Sequence, residues 1–264
     1  MNQAGGGAKT LREMRSPLVT ATAEAATPRS GITVRDVAAF ADVDALITAA
    51  NRALGVQGYT EHGQRHASTV GASAQNLLLR LGFPARTAEL AGIAGYLHDI
   101  GNVVNRLDHG HSSGLFAYDL LRRLDMPIAE VAEVVTAVGH HEDDSMPVSP
   151  ATAAIIIADK ADVHRARVRN RDPRTFDIHD RVNFAVTSNT LEVDPANRVI
   201  KLDLTVDTTL VSIMDFFEIF LERMVLSRTS AAFLNCSLRL AINGVILDSR
   251  HQDAPVEAFN PVFE

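Results

Sequence analysis

The chain has 264 residues, a hydrophobic fraction of 46% and a formal net charge of −7. A chain of this size buries a large core without disulfide bonds, and its single cysteine, Cys236, cannot form an intrachain bridge. The negative charge argues against a protein that coats nucleic acid or binds an anionic membrane. Since no segment approaches the roughly 20 apolar residues of a transmembrane helix and no signal peptide is recognisable, we expect a cytoplasmic protein.

Composition divides the chain into four segments. Residues 1–30 are rich in Ala, Gly, Thr and Ser and carry few large apolar side chains, which is typical of a disordered tail. Residues 251–264 are expected to form a second tail. Between them we predict a helical domain over 31–180 and a small α+β unit over 181–250.

Helical periodicity dominates the first of these domains. Thr33 with Asp36 is typical of a helix start. In one predicted helix Leu115, Tyr118, Leu121 and Leu124 form the apolar stripe. This helix begins near His111, and apolar side chains recur at helical spacing in four further places: 61–81, 85–100, from Pro127 and from Ser149-Pro150.

The pattern changes after Arg181. Alternating apolar residues over 200–206 predict a strand, and the turn Asp194–Asn197 predicts that it pairs with a strand over 190–194 or with a longer one beginning at Val182. A long helix is predicted over 209–235. Asn243-Gly244 then predicts a hairpin turn between strands over 238–242 and 245–247. The predicted fold is therefore mostly α, with antiparallel strands and one long helix at the C-terminal end.

A spaced set of histidines and aspartates is the main functional signal. Imidazole and carboxylate are the side chains that bind borderline divalent metals, and adjacent pairs can serve two ions at once. Most members of the set fall on or beside apolar helical faces, where an unpaired polar group is costly. The predicted metal ligands are His66, His98, Asp99, His111, His140, His141 and Asp159.

The order of these residues resembles the HD-domain metal-dependent phosphohydrolase superfamily, and its binuclear members in particular. The resemblance covers about residues 59–170 and rests on the sequences GQRHAS, YLHDIGN, GHSSG, VGHHEDD and IADKAD. It implies a helical bundle that holds two divalent transition-metal ions, either Mn, Fe, Zn, Co or Ni. By the same resemblance, His66, His98, Asp99 and Asp159 hold one ion, and Asp99 bridges to a second ion held by His111, His140 and His141. Asp99 and His98 are the expected catalytic residues.

The sequence also departs from the family pattern. Asn102 stands where many relatives have a phosphate-binding lysine, and the GYP signature is absent, which argues against hydrolysis of a cyclic dinucleotide. Two additional candidates for the site are His62, which lies one helical turn before His66, and Lys160, which could replace the missing cation. His109 is expected only at the rim of the site. The alternating arginines at 165, 167, 169 and 171 are expected to form a solvated helix end.

These observations predict a metal-dependent phosphohydrolase. Its substrate is expected to be a small phosphate monoester or diester, with nucleotides as the main class, attacked by a metal-bridging hydroxide. Two alternatives are a di-iron oxygenase of the same fold and a non-catalytic metal-containing sensor. Neither a Walker loop nor GxGxxG is present, so no nucleotide cofactor is expected. Exposed strand edges in the C-terminal unit favour a homodimer.

Overall fold

The computed structural model describes residues 31–142 and 146–247 of the chain. The two segments that the sequence predicts to be disordered tails, 1–30 and 251–264, lie outside the described residues. Apart from residues 143–145 and 248–250, both predicted structural units lie within the described ranges, and the helical bundle precedes the strands along the chain as predicted.

The first part of the described chain is a bundle of helices whose ends are set by local capping. The Thr33 hydroxyl accepts a hydrogen bond from the backbone N–H of Asp36 at 3.2 Å, and Asp36 Oδ2 accepts from the backbone N–H of Thr33 at 2.9 Å. Ser149 Oγ likewise accepts from the backbone N–H of Thr152 at 3.1 Å. The helices are α1 (Val34–Ala38), α2 (Ala41–Val56), α3 (Gln64–Arg80), α4 (Ala85–Leu97), α5 (His109–Arg123), α6 (Ile128–Gly139) and α7 (Pro150–Ala161).

Helices α3 and α4 touch backbone to backbone at three glycines. A Cβ added at Gly71 would lie 2.8 Å from the carbonyl oxygen of Gly92, and one added at Gly95 would lie 3.1 Å from the Cα of Gly71. No larger side chain fits at this crossing. The close approach brings His66 of α3 next to His98, which follows the last residue of α4.

The C-terminal part contains the predicted strands and the predicted long helix. Asp194–Asn197 forms the expected turn, and the first strand begins at Val186 rather than at either predicted residue. Asn243 and Gly244 form the second hairpin turn with φ of 51° and 78°, as a two-residue hairpin requires. The elements are α8 (Ile178–Ala185), β1 (Val186–Asp194), β2 (Val199–Val206), α9 (Ile213–Phe233), β3 (Ser237–Ile242) and β4 (Val245–Leu247).

One strand pairing differs from the prediction. The sheet has the order β1-β2-β3-β4; its outer pairs are antiparallel, as expected, but β2 and β3 are parallel. The reason is the connection, because α9 carries the chain back along the sheet before β3 begins, and such a crossover joins parallel strands. The expectation of antiparallel strands throughout was therefore wrong for this pair.

The buried side chains form two clusters, and each draws on both predicted units. Val193, Ile200 and Leu234 of the C-terminal part pack into the cluster of the helical bundle. Ala161 and Val163, at and just after the end of α7, pack with the sheet and α9. The predicted boundary at residue 180 stays a prediction, because the two parts share their cores.

The edge of the sheet exposes apolar side chains. Val245 and Ile246 of β4 are 61% and 53% exposed. The homodimer suggested by exposed strand edges stays a prediction. Within the described ranges, none of the helices combines the length and hydropathy that a membrane span needs.

Candidate metal centre

Histidines and aspartates from several helices meet in the interior of the bundle. His66 lies in the first turn of α3, and Asp99 follows His98 at the start of a 3₁₀ turn, Ile100–Val103. The remaining members come from the first residue of α5, from the end of α6 and from the last turn of α7: His109, His141 and Asp159.

The first group of side chains surrounds one oxygen of Asp99. Asp99 Oδ2 lies 3.4 Å from His66 Nε2 and 3.3 Å from His98 Nε2, and these two nitrogens are 3.3 Å apart. Asp159 Oδ1 completes the group at 3.3 Å from His66 Nε2 and 3.8 Å from His98 Nε2. The ligand atoms of His66, His98 and Asp99 lie within 4.8 Å of one another, and Asp159 Oδ1 lies beside the two imidazoles.

The second group surrounds the other oxygen of the same carboxylate. Asp99 Oδ1 lies 3.1 Å from His109 Nε2, and ligand atoms of Asp99, His109 and His141 all lie within 4.8 Å of one another. Asn102 Nδ2 donates to Asp99 Oδ1 at 2.9 Å, which fixes the carboxylate between the two groups. Asn102 thus orients Asp99 where a lysine in relatives would supply charge.

Every histidine of the two groups points its Nε2 inward because its Nδ1 is engaged outside. Such outer partners set the tautomer and the ring orientation of metal-binding histidines. The Nδ1 partners are Asp162 Oδ2 for His66 (2.6 Å), the carbonyl of Gly95 for His98 (2.7 Å), Glu142 Oε2 (2.9 Å) and the carbonyl of Arg106 (3.0 Å) for His109, and the carbonyl of Val138 for His141 (2.7 Å).

Protons occupy part of this centre when no metal is bound. Burial and Arg167 lower the pKa of His66, but hydrogen bonds with Asp159, Asp162 and Asp99 outweigh them and raise it to about 10. For His109, hydrogen bonds with Asp99 and Glu142 outweigh burial and raise the pKa to about 9. Because metal ligands must be deprotonated, an ion that binds here displaces these protons.

Two buried candidate ligand atoms lack a well-aligned hydrogen bond within the described part of the chain. They are Asp99 Oδ2, whose neighbours are the histidine nitrogens at 3.3 and 3.4 Å, and His141 Nε2. A buried unsatisfied polar atom is costly, and both atoms point into the groups described above. The nitrogen and oxygen donors are those that bind divalent transition metals. The residues therefore fit a metal centre.

The structure places His109 where the resemblance assigned His111. His111 is exposed, together with Leu115 (76%) and Tyr118 (49%), whereas His109 is fully buried. The predicted apolar stripe of α5 was wrong in its first half, although Leu121 is fully buried. Over the first turns small residues form the buried face, so the helix packs closely against its neighbours there: Gly110, Ser113, Gly114 and Ala117.

Two other candidates, His140 and His62, lie beside the two groups. His140 is half-buried and lies outside both groups, although its neighbour His141 belongs to one. The His62 ring lies 5.3 Å from the His66 ring, and its Nδ1 donates to the carbonyl of Thr60 at 2.8 Å. Burial and the nearby Arg167 hold the pKa of His62 well below its ordinary value, so this imidazole is neutral.

Lys160 is buried beside the centre. Its Nζ donates to Asp159 Oδ2 at 2.7 Å, so its charge is matched by a candidate ligand. The charge of Lys160 is therefore paired with that of Asp159. Lys160 is not free to replace the lysine that the resemblance would place at position 102.

Asp162 and Arg167 support the centre and were missed from the sequence. Asp162 accepts from Arg65 at 3.1 and 2.9 Å while it holds His66. Arg167 is only 2% exposed, and its Nη1 donates to the carbonyl of Asp162 at 2.8 Å. The expectation of a solvated helix end was wrong for this arginine, because the chain after α7 folds back onto Glu61. The acidic repeat in IADKAD was the available signal for Asp162.

Two cavities adjoin the centre and share Tyr59 and Arg106. A cavity of 490 Å³ is lined in addition by His111 and Glu142. A smaller cavity of 210 Å³ is lined by His62, Arg167 and Arg223, so α9 of the C-terminal part contributes to its wall. Arg106 Nη1 lies 4.0 Å from Asp99 Oδ1, which places this guanidinium between both cavities and the centre.

Comparisons with known proteins agree with this architecture. A family model described as HD domain matches residues 64–166, which include every member of the two groups. The uncharacterized protein MJ1020 of Methanocaldococcus jannaschii is 28% identical over 151 residues, which represent 48% of this chain and 58% of the relative. The chain thus spans little more than half the length of this relative. No solved structure matches the chain.

The matched region and the geometry describe the same unit. Residues 64–166 run from the start of α3 to just beyond α7, and they hold His66, the His98-Asp99 pair and Asp159 in the order expected from the sequence. Residues 64–166 of this chain match an HD domain, and the clustered histidines and aspartates are consistent with the metal site of such a domain.

Proposed function

We propose that this protein is a metal-dependent phosphohydrolase that cleaves a small phosphate monoester or diester, with nucleotides as the main expected class. The observation that carries the proposal is the position of Asp99. One of its oxygens faces His66 and His98, and the other faces His109. This is the arrangement expected of a carboxylate that bridges two ions.

In this proposal His66, His98, Asp99 and Asp159 hold one divalent ion, and Asp99, His109 and His141 hold a second. Two ions bound in this way would lower the pKa of a coordinated water and polarise a phosphoryl oxygen. The protein's own part is to orient these ligands. Asn102 fixes the Asp99 carboxylate, and the outer partners of the histidines fix each ring.

The charges around the centre support a phosphate ester over a neutral polyol. Arg106 borders both cavities and lies beside Asp99. Arg223 lines the smaller cavity, whose wall also includes Asp177 and Asp180. A guanidinium matches the geometry of phosphate oxygens with two parallel hydrogen bonds. A hydroxyl-rich neutral substrate, as the oxygenase alternative requires, would gain little from these two guanidinium groups.

The test is phosphate release by protein reconstituted anaerobically with Mn²⁺ or Fe²⁺. The panel contains mononucleotides, dinucleotides and sugar phosphates. We expect turnover that Asp99→Asn abolishes and that Asp119→Asn retains, because Asp119 is an exposed aspartate of α5 and controls for the charge change. A fully metallated protein that releases no phosphate from any compound would contradict the proposal. Oxygen consumption by the iron form would then favour the oxygenase alternative.

A further inference from the structure

Arg223 is a cation without a counterion in the wall of the smaller cavity. It lies in α9, well outside the HD domain, and it is half-buried. Its guanidinium stacks on the ring of Phe220 at 5.0 Å from the centroid. Among the residues that the structure describes, no hydrogen-bond acceptor or carboxylate pairs with the guanidinium; Asp177 and Asp180 line the same cavity but form no ion pair with Arg223 within 4.0 Å.

The neighbouring cations of the cavity are already engaged. Arg106 donates to Glu142 Oε1 at 3.1 Å, and Arg167 is bound to the carbonyls of Glu61 and Asp162. Arg223 is the lining arginine that keeps its donors free within the described ranges. A partly buried cation that lacks a protein counterion is stabilised when an anionic ligand supplies one.

Arg223 also lies within electrostatic reach of the metal centre. Burial lowers the pKa of Arg223, the charge of Asp159 opposes this effect, and Arg167 and Arg106 lower the pKa further. No ion pair within 4.0 Å joins Arg223 to a candidate ligand in the described chain, whereas Arg106 reaches Asp99 at that distance. Arg106 is therefore placed for the group that reacts at the centre, and Arg223 is placed for a group farther along the same ligand.

The size of the cavity limits what the ligand carries there. At 210 Å³ it is smaller than the roughly 300–1,000 Å³ of pockets that enclose a drug-sized ligand. It has room for a short anionic group and the few atoms that link it to the centre. The larger cavity on the other side of Arg106 is left for any remaining part of the ligand.

We propose that Arg223 is a specificity-determining residue that binds a second anionic group of the substrate, a phosphate or a carboxylate, a few bonds from the phosphate held at the metal centre. The substrate class is then a phosphate ester with two anionic groups, such as a bisphosphate or a phosphorylated acid. The inference rests on the proposed phosphohydrolase function for the reaction, but the anion site itself is tested without turnover. The C-terminal unit would thereby select the substrate of the HD domain.

The test is calorimetric binding of two phosphonates to the Mn²⁺-loaded protein. Phosphonoacetate carries a carboxylate that ethylphosphonate lacks, and the carbon–phosphorus bond of both compounds resists a phosphohydrolase. We expect the wild-type protein to bind phosphonoacetate about 10-fold or more tightly than ethylphosphonate, as one charge-assisted hydrogen-bonded pair provides. Arg223→Gln should remove this difference and leave the affinity for ethylphosphonate unchanged.

Arg228→Gln is the matched control, because Arg228 is an exposed arginine of the same helix. It should keep the preference for phosphonoacetate, and all variants should keep the metal content and melting temperature of the wild type. Equal affinities of the two compounds for the wild-type protein, or a preference that survives Arg223→Gln, would overturn the inference. If the preference depends on Arg223 but no phosphate ester is ever hydrolysed, the proposed function fails and the anion site stands. If esters are hydrolysed but Arg223→Gln does not change the preference for phosphonoacetate, the inference alone fails.

Discussion

The two halves of the candidate metal centre differ in how the protein encloses them. We call His66, His98 and Asp159 the inner half, and His109 and His141 the outer half. The outer partner of His66 is Asp162, which is 2% exposed and bound by Arg65 and Arg167. The side-chain partner of His109, beside the carbonyl of Arg106, is Glu142, which is exposed and lines the cavity of 490 Å³.

This difference implies that the two halves have different roles, although the same kinds of ligand form both. A buried, ion-paired partner holds an imidazole in one orientation, because its own side chain has nowhere else to go. An exposed partner beside a cavity holds its imidazole less firmly and leaves that side accessible to a ligand. We therefore expect the inner half to bind the first ion tightly and the outer half to bind a weaker ion on the side where the substrate enters.

Loss of an inner ligand should have the largest effect. His98→Ala removes a nitrogen that lies 3.3 Å from both His66 Nε2 and Asp99 Oδ2. Since loss of an outer partner alone costs roughly 10–100-fold in metal affinity, loss of this ligand should weaken the first ion by more than about 100-fold. Titration with Mn²⁺ followed by metal analysis measures this. Equal loss of affinity in His98→Ala and His109→Ala would remove the distinction between the halves.

Loss of an outer ligand should remove one ion and spare the other. His109→Ala is expected to reduce the bound metal by about one ion per chain, because His109 belongs to the second group alone. His111→Ala is the control, since His111 is the exposed histidine of the same helix that the resemblance assigned to the metal. Native mass spectrometry counts the ions. A loss in His111→Ala with no change in His109→Ala would refute the assignment made here.

Asp162 and Glu142, the hydrogen-bond partners of His66 and His109, should show the same contrast between the two halves, with smaller effects on metal affinity. Asp162→Asn is expected to weaken the inner ion by roughly 10–100-fold, because this change leaves His66, Arg65 and Arg167 without their shared carboxylate. Glu142→Gln should weaken the outer ion by less, since water can replace an exposed partner. Competition with a fluorescent chelator gives both affinities. A larger effect from Glu142 than from Asp162 would reverse the comparison.

The close backbone contact between Gly101 and α5 should matter more for folding stability than for the chemistry of the metal centre. A Cβ at Gly101 would lie 2.3 Å from the carbonyl oxygen of His109, so Gly101→Ala must push α5 away. Overpacking of this kind costs roughly 1–3 kcal/mol, which lowers the melting temperature by several degrees. Gly139→Ala is the control, since its Cβ would meet nothing within 4 Å. Similar melting temperatures for the two variants would show that the close approach at Gly101 is not tight in solution.

Local features of the sequence predicted the elements and the inner half of the centre. The capping residues Thr33 and Ser149, the turn Asn243-Gly244 and the adjacent pair His98-Asp99 depend on residues only a few positions apart. Such features can be identified without knowing what packs against them. The same holds for the buried face of α3, on which His66, Val70 and Leu77 lie together.

Tertiary packing decided what the local pattern left open. The buried face of α5 is set by its neighbours, because Gly114 lies against Val135 of α6 and Gly101 lies against the backbone of His109. Leu115 and Tyr118 on the opposite face are therefore exposed despite their apolar side chains, and His109, not His111, lies in the second group. The parallel pairing of β2 with β3 and the position of Arg223 likewise depend on how α9 crosses the sheet. The sequence by itself determined which ligand types this protein has and in what order, and only the packing of distant segments decided which of them meet.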